Sequence, residues 1–326
     1  MLSEDLTRRD RGALVDAGFR CLALGAGIAV LVILVLIVWS TTKEAWPAFR
    51  ESGFDFLTSK RWVPNDPDGP TGPLHPQLGA LAFVYGTAVI STLAVVLSVP
   101  VSIGIALFTT ELAPRRVRRL LVNLVDLLAA IPSVVYGLWG IALLAPNTVG
   151  VFGRVHDVVR PIPILRTVFG GDPHGRSLMT AGIILAIMIT PIITSITRDV
   201  FATVPRSEKD AALALGATRW EMINTAVFPH SFGGMVGAVM LGLGRAMGET
   251  IAVALVIGSS PQIVANLFKS GDAMPSVIAN QFGESSGTFR AALIGLGVAL
   301  FFLTILVNVV ARWVVGRAEV RLKGTA

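Results

Sequence analysis

Six apolar segments dominate this sequence, and each is long enough to cross the hydrocarbon layer of a membrane. They cover roughly residues 19–40, 79–109, 120–145, 177–200, 230–258 and 291–315. Of the 326 residues, 53% are apolar and only 15% are charged, whereas soluble domains carry roughly 25% charged residues. Inside a bilayer every backbone polar group must be bonded within the protein, and a helix of about 20 residues achieves this. The sequence therefore predicts an all-α membrane protein with six transmembrane helices.

The first apolar run, Cys21–Trp39, follows three arginines and so resembles a signal peptide. At about 19 residues it is longer than a signal core, and no small-residue cleavage site follows it. We interpret it as a retained first helix. The single cysteine excludes an internal disulfide, and the four histidines form no metal-ligand pattern. The net charge of +6 lies in short segments that flank the apolar runs, so no nucleic-acid partner is expected.

Lysine and arginine are distributed unequally between the two sides of the predicted helices. The side that holds both termini carries 16 of the 27 basic residues, and the other side carries 10. The strongest local contribution is the cluster Arg115, Arg116, Arg118 and Arg119. Because the side richer in lysine and arginine stays in the cytoplasm, both termini are predicted to be cytoplasmic.

The chain divides into three parts. Residues 1–78 comprise the first helix and an outer loop, 79–315 form a five-helix core surrounded by membrane lipid, and 316–326 form a cytoplasmic tail. A cytoplasmic loop at about 203–229 interrupts the core between the fourth and fifth helices. The outer loop 41–78 is rich in proline, glycine and aspartate, and it is either a passive connector or a contact surface for an external partner.

The fifth apolar segment contains two charged residues, Arg245 and Glu249. A charge in hydrocarbon costs a few kcal/mol even on lenient scales, so such residues are candidates for function. In a continuous helix the two would lie at positions i and i+4, on one face, and could form an ion pair. A neighbouring stripe of glycines favours close helix packing, with the charged face pointing into the bundle. The pair belongs either to a transport path or to a structural ion pair, which could extend to Asp126 in the third helix.

Two of the prolines within apolar segments are candidate gate kinks. Pro132, followed by Ser133, lies in the third segment, and Pro191 lies in the fourth. Proline frees a backbone carbonyl and bends a helix. These kinks either line a gate or have no functional role.

The cytoplasmic loop has the local chemistry of two short helices joined by a sharp corner. Thr203 is placed to cap the first helix, with Pro205 in its first turn. Gly216 supplies the left-handed residue that ends this helix. Thr218 and Glu221 form a capping box for the second helix.

The first of these helices carries small residues on one face. Ala211, Ala212 and Leu215 would let another protein pack closely against it. The alternative is an ordinary amphipathic helix at the membrane interface.

This loop resembles the EAA loop of ABC importer permeases. The stretch Asp210–Ala212, Gly216 and the stretch Ala226–Pro229 are spaced as in that family, whose pattern is Glu-Ala-Ala, three residues, Gly, nine residues, Ile, any residue, Leu-Pro. This chain departs at Asp210, Ala226 and Phe228, and each replacement keeps charge or apolarity. The resemblance implies a type I ABC importer permease fold with a cytoplasmic coupling helix that docks into an ATPase. The residues that it assigns to coupling are Asp210, Ala211, Ala212, Leu215 and Gly216.

Three further segments, at 129–140, 214–221 and 244–250, resemble the phosphate-specific ABC permease subunits of the PstC type. The resemblance extends from about residue 79 to the end of the chain. It implies a permease subunit of an ATP-driven importer of inorganic phosphate in the bacterial inner membrane. Arg245, with its fork of donors, would then meet the phosphate anion in the translocation path. Glu249 would orient the arginine or respond as the path opens.

The sequence has no Gly-Lys dipeptide and hence no phosphate-binding loop of the ATPase type, so ATP is expected on a partner and no cofactor on this chain. The resemblance implies a second homologous permease subunit, two ATPase subunits and an extracytoplasmic phosphate-binding protein. The chain would be the non-catalytic part of that machine. The alternatives are a permease for another oxyanion, such as sulfate or molybdate, an ion-gradient-driven secondary transporter, and an intramembrane enzyme, for which the apolar segments offer no nucleophile with a base and no metal cluster.

Overall fold

The computed structural model describes residues 11–63, 77–170 and 174–323, and these residues form a helical bundle. In chain order the α-helices are α1 (Arg11–Ser52), α2 (Asp55–Thr58), α3 (Leu81–Leu107), α4 (Arg115–Ala130), α5 (Ser133–Trp139), α6 (Ala145–Val159), α7 (Pro163–Phe169), α8 (Leu178–Ala202), α9 (Arg206–Ala214), α10 (Arg219–Met222), α11 (Phe228–Gly248), α12 (Ile251–Val256), α13 (Met274–Gln281) and α14 (Gly287–Lys323). Short π-helical turns extend α3, join α5 to α6 and join α10 to α11, at Phe108–Leu112, Gly140–Leu144 and Ile223–Val227 respectively. A 3₁₀ turn, Phe282–Glu284, follows α13.

Six helical stretches among the described residues are long and apolar enough to cross a membrane, as predicted. They are Asp16–Ser52, Leu81–Leu112, Ser133–Val159, Leu178–Ala202, Arg219–Gly248 and Gly287–Arg317. The boundaries of three of them differ from the prediction by about ten residues or more. The first continues to Ser52 instead of ending near residue 40. The third stretch begins at Ser133 rather than near 120, because Pro132 separates it from the amphipathic helix α4. The fifth begins at Arg219 and ends at Gly248 rather than covering 230–258, because α10 continues into α11.

The core of the bundle is built around α8. Its residues Ile184, Leu185, Ile189 and Ile193 are fully buried against α3, α11 and α12. Glycine allows these helices to approach closely. A Cβ placed on Gly242 of α11 would lie 2.7 Å from the Ile193 side chain, so a larger residue there would force Ile193 of α8 to shift.

A second apolar cluster closes the opposite end of the bundle from the α9–α10 corner. Phe56 of α2 and Trp62 pack with residues of α3 and α14, and the Trp62 Nε1–H donates to Gln281 Oε1 at 3.0 Å. The only β-strands among the described residues lie here, where β1 (Trp62–Val63) pairs antiparallel with β2 (Gln77–Leu78). The part of the outer loop that precedes residue 64 is thus packed against the core. The proline-rich run 64–70, which entered the interpretation of this loop as a connector, lies outside the described residues.

Candidate functional site

Arg245 lies in the last turn of α11, and its side chain is exposed on the surface of the subunit. Among the residues that the structure describes, no carboxylate forms an ion pair with it. The buried Tyr136 of α5 lies within electrostatic range of its guanidinium. A free guanidinium in an apolar span is costly unless water, an anion or a partner surface meets it. Arg245 is therefore the strongest candidate for contact with an anion.

Glu249 does not share a helical face with Arg245, and the prediction of one continuous charged helix is wrong. The helix ends at Gly248, and Glu249 has extended backbone angles, with φ −71° and ψ 125°. Its Oε1 accepts from the Ala252 N–H at 3.4 Å, at the start of α12. Gly244 and Gly248 weaken the last turn of α11, while a carboxylate favours the positive end of the next helix. Glu249 thus caps the N-terminal end of α12 instead of pairing with Arg245.

A second helix break lies beside this one. Ile131 and Pro132 have extended angles, with ψ 127° and 139°, and separate α4 from α5. The Tyr136 hydroxyl donates to the Leu128 carbonyl at 2.8 Å and so bonds the end of α4 across the break. Ser133, half-buried, is the first residue of α5. Non-helical backbone at membrane depth persists where it is enclosed by protein or lines a water-filled cavity.

The two breaks are held together by the packing of α5 on α12. A Cβ on Gly137 would lie 2.8 Å from the Ala252 Cα, so glycine is required for this contact. The charged stretch at 245–249 and the Pro132 break therefore belong to one site. Pro191 does not join them. It is buried inside α8, which runs without interruption from Leu178 to Ala202. Of the two prolines predicted to kink a helix, only Pro132 therefore lies at a helix break.

Asp126 has a different neighbour from the one that the sequence suggested. It lies on α4, and its Oδ1 is 4.0 Å from Arg198 Nη1, so the predicted extension of an Arg245–Glu249 pair to Asp126 is wrong. Arg198 also contacts the adjacent Asp199 at 3.3 Å. Sequence reasoning missed Arg198 because residues 126 and 198 meet only through the packing of α4 on α8, which periodicity does not reveal.

The corner between α9 and α10 has the predicted geometry. Gly216 has φ +88°, in the left-handed region. The Gly216 N–H donates to Leu213 O and the Ala217 N–H to Ala212 O, which is the Schellman arrangement at a helix end. Thr218 and Glu221 form the reciprocal capping box that opens α10. The predicted cap at Thr203 is wrong, because its hydroxyl bonds back to Val200 O at the end of α8.

The predicted coupling residues present an open surface. Asp210, Ala211 and Gly216 are exposed, Leu215 is 90% exposed, and Ala212 is half-buried. Leu213 and Trp220 are also exposed at this corner, and several exposed apolar side chains together are typical of a surface that another protein covers. The corner is fixed to the bundle by Lys209, whose Nζ contacts Glu111 Oε1 at 2.6 Å beyond the end of α3. This ion pair links the corner to the π-helical turn that extends α3.

One buried carboxylate, Asp272, went unnoticed in the sequence. It lies between α12 and α13, is 4% exposed, and accepts from the Ala273 N–H at 2.8 Å. Burial raises the pKa of Asp272 to about 6, and the bonds from Ala273 and Ser276 partly oppose this. A Cβ on Gly86 of α3 would overlap the Asp272 carbonyl oxygen. The α12–α13 segment is thus packed directly on α3.

Comparison with known proteins gives the family of this chain. Residues 98–323 match the family described as binding-protein-dependent transport system inner membrane components. A phosphate transport system permease protein PstC from Mesorhizobium japonicum is 43% identical over 321 residues, which cover 98% of this chain and 95% of that protein. The PstC protein of Xylella fastidiosa strain 9a5c is 41% identical over 93% of this chain and 91% of its own length.

Among solved structures, a bacterial alginate ABC transporter in complex with its ligand-bound periplasmic protein contains a chain of the same fold. The TM-score is 0.59 at 16% identity, with 94% of this chain and 97% of that chain covered. Such a likeness shows the fold alone, and it is that of a type I ABC importer permease. The chain thus belongs to the inner membrane components of binding-protein-dependent transport systems, a class of multi-pass permeases, and within them to the PstC permeases.

Proposed function

We propose that this chain is the permease subunit of an ATP-driven importer of inorganic phosphate. The observation that carries the proposal is the exposed Arg245, without a carboxylate partner among the described residues, at a helix break inside an apolar span. A planar guanidinium suits a tetrahedral oxyanion because it offers paired donors. The relatives that match nearly the whole chain carry the name of phosphate transport permeases.

The site takes its form from the two helix breaks. Arg245 supplies the positive charge, Glu249 holds the start of α12, and Pro132 keeps α5 separate from α4. In transporters, a helix that is interrupted at mid-membrane leaves backbone groups and side chains at the interruption, where they can contact the substrate. Here the site lies on an open surface of the subunit, which a second, homologous permease subunit would cover to complete the path.

The energy comes from a cytoplasmic ATPase in this proposal. The corner formed by α9 and α10 docks into it, with Asp210, Ala211 and Leu215 in the contact, and two ATPase subunits serve the two permease subunits. ATP binds to those subunits and this chain is non-catalytic. An extracytoplasmic phosphate-binding protein delivers the anion to the outer face, and both termini of this chain are cytoplasmic.

The experiment is uptake into vesicles that hold this subunit, its partner permease and the ATPase, supplied with the binding protein. Radiolabelled phosphate, sulfate and molybdate are compared with and without ATP. We expect ATP-dependent uptake of phosphate alone. Uptake of another oxyanion would contradict the assignment of phosphate as the substrate. Uptake that does not depend on ATP but follows an ion gradient would contradict the assignment of the chain to an ATP-driven importer.

The orientation needs a separate test. A reporter that works only in the cytoplasm is fused after residue 326, and we expect it to be active. A reporter that is protected from cytoplasmic probes would reverse the assignment of sides and with it the position of the coupling loop.

A further inference from the structure

A polar cavity lies between the α9–α10 corner and the neighbouring ends of α3 and α4. It has a volume of about 470 Å³, and we refer to it as the loop pocket. Its charged lining residues are Glu111, Arg118, Arg206, Lys209, Asp210 and Arg219. An apolar wall, which includes Val204 and Met222, closes it towards the bundle.

The charges of the loop pocket do not balance. Lys209 and Glu111 neutralise each other at 2.6 Å, and their side chains are only 17% and 11% exposed. Three guanidinium groups then remain, with Asp210 as the single opposing carboxylate of the lining. Among the described residues none of the three arginines forms an ion pair. An uncompensated excess of positive charge in a concave site attracts anions.

The three arginines come from three different helices. Arg118 belongs to α4, Arg206 to α9 and Arg219 to α10. Guanidinium groups that approach from several directions can bond several oxygens of one tetrahedral anion. We propose that the loop pocket binds a phosphate-type anion, supplied either as free inorganic phosphate or as the headgroup of an anionic phospholipid. This site is distinct from the path at Arg245, and its cytoplasmic location rests on the proposed function.

Occupancy of the loop pocket has a mechanical consequence. Arg118 stands on the membrane-core side of the pocket, whereas Arg206 and Arg219 stand on the corner that contacts the ATPase. An anion that bonds both sides links the corner to α4 and resists relative movement of the two. Free phosphate is the product that the importer releases on this side, so the pocket would slow the transport cycle when cytoplasmic phosphate is abundant.

The first experiment measures binding of radiolabelled phosphate by equilibrium dialysis. The complete complex is placed in phosphatidylcholine nanodiscs without the binding protein, in an Arg245→Gln background that removes the cation of the path. The double variant Arg118→Gln/Arg219→Gln is compared with Arg115→Gln/Arg116→Gln. The control pair removes the same number of positive charges, both from α4, and neither residue lines the loop pocket. Any phosphate that binds to the ATPase itself contributes equally to the binding measured for the two pairs of substitutions.

We expect the control pair to bind phosphate as its Arg245→Gln parent does. The Arg118/Arg219 pair should lose affinity by about tenfold or more, since each charge-assisted hydrogen bond contributes about that factor. Co-elution with the ATPase is checked for every variant. Equal phosphate binding by the two pairs, or loss of ATPase association from the Arg118/Arg219 pair without any change in anion binding, would overturn the free-phosphate form of the proposal.

The second arm tests the lipid source. Nanodiscs containing phosphatidylglycerol are used, and native mass spectrometry counts the lipid that remains bound to the complex. If a headgroup fills the loop pocket, the unmodified chain and the control pair retain one phosphatidylglycerol that the Arg118/Arg219 pair loses, and free phosphate does not displace it. Equal retention by both pairs, together with equal phosphate binding in the first arm, would sink the proposal altogether.

Failure of this proposal and failure of the proposed function give different results. Import of phosphate with the binding protein is measured in parallel, in chains that keep Arg245. If import is absent while the loop pocket still binds the anion, the proposed function falls. If import is normal, the Arg118/Arg219 pair should also be less inhibited by phosphate on the ATPase side than the control pair.

Discussion

Two of the prolines in the apolar segments, Pro132 and Pro191, have opposite effects on the helices that contain them. Pro132 is exposed and separates α4 from α5, whereas Pro191 is buried inside an unbroken α8. In the most apolar 18-residue stretch of the third span, 28% is buried, whereas 61% of the corresponding stretch of α8 is buried. Exposure alone does not decide the outcome, because Pro100 is also exposed and yet lies inside the continuous helix α3.

The contrast shows where the subunit can tolerate irregular backbone. Freed carbonyl and N–H groups inside the packed core have few partners, so α8 stays helical. On the open surface they can meet water, an anion or a second subunit. Both breaks, at Pro132 and at Glu249, lie on the side of the bundle that carries Arg245. The irregular backbone and the free charge are thus two aspects of one site.

The largest expected effect comes from removing the charge of the open site. Arg245→Gln should lower phosphate uptake to about a hundredth or less, because a desolvated anion loses its charged donor. Uptake by reconstituted vesicles is the measurement. Arg245→Lys is the matched variant, and it should retain part of the activity since it keeps the charge but not the planar fork. Loss of complex assembly in Arg245→Gln would instead assign the residue a structural role.

Pro132→Ala should have the next largest effect. Alanine restores an N–H that can bond Leu128 O, where the Tyr136 hydroxyl now donates, and so favours one continuous helix through the break. Uptake should fall by about tenfold, as expected when a site is displaced by an ångström or so. Unchanged uptake with a correctly assembled complex would show that the break forms without proline.

The local features of this fold were predictable because they depend on neighbouring residues. The left-handed Gly216 and the Thr218–Glu221 capping box need only a few adjacent residues, and both have the predicted geometry. The six spans follow from hydrophobicity alone. The sequence placed Arg245 in an apolar segment but gave no sign that α11 ends three residues later, because the apolar pattern continues into α12.

The contacts that the sequence could not predict are those between distant segments. Asp126 meets Arg198 and Lys209 meets Glu111 only because α4 packs on α8 and the corner folds under α3. Nothing in the local sequence distinguishes these partners from other charges at similar depth. The cap assigned to Thr203 failed for a related reason: its hydroxyl bonds Val200 O in the last turn of α8 instead of starting the next helix.

A buried acid offers a third test of packed against open regions. Asp272 has a raised pKa of about 6, so the folded state takes up a proton more readily than the unfolded chain. Its stabilising contribution is complete below the unfolded pKa near 3.8 and is lost as the pH rises through about 6. We expect thermal stability of the complex to fall across this range by a few degrees more than in Asp272→Asn. Parallel melting curves for the two proteins would contradict the burial of this charge.

Pro191→Ala should have the smallest effect, and it decides whether the contrast between the two prolines is real. The alanine N–H can complete the α8 ladder, which gains about 1 kcal/mol, while the lost ring atoms leave a small cavity at a cost of similar size. The two contributions nearly cancel, so the melting temperature should move by no more than about 3 °C and uptake by no more than about twofold. Both are measured beside Pro132→Ala in the same reconstituted complex. A loss of uptake as large as that of Pro132→Ala would mean that α8 also bends during transport, and regular backbone in the core would then describe only one state of the cycle.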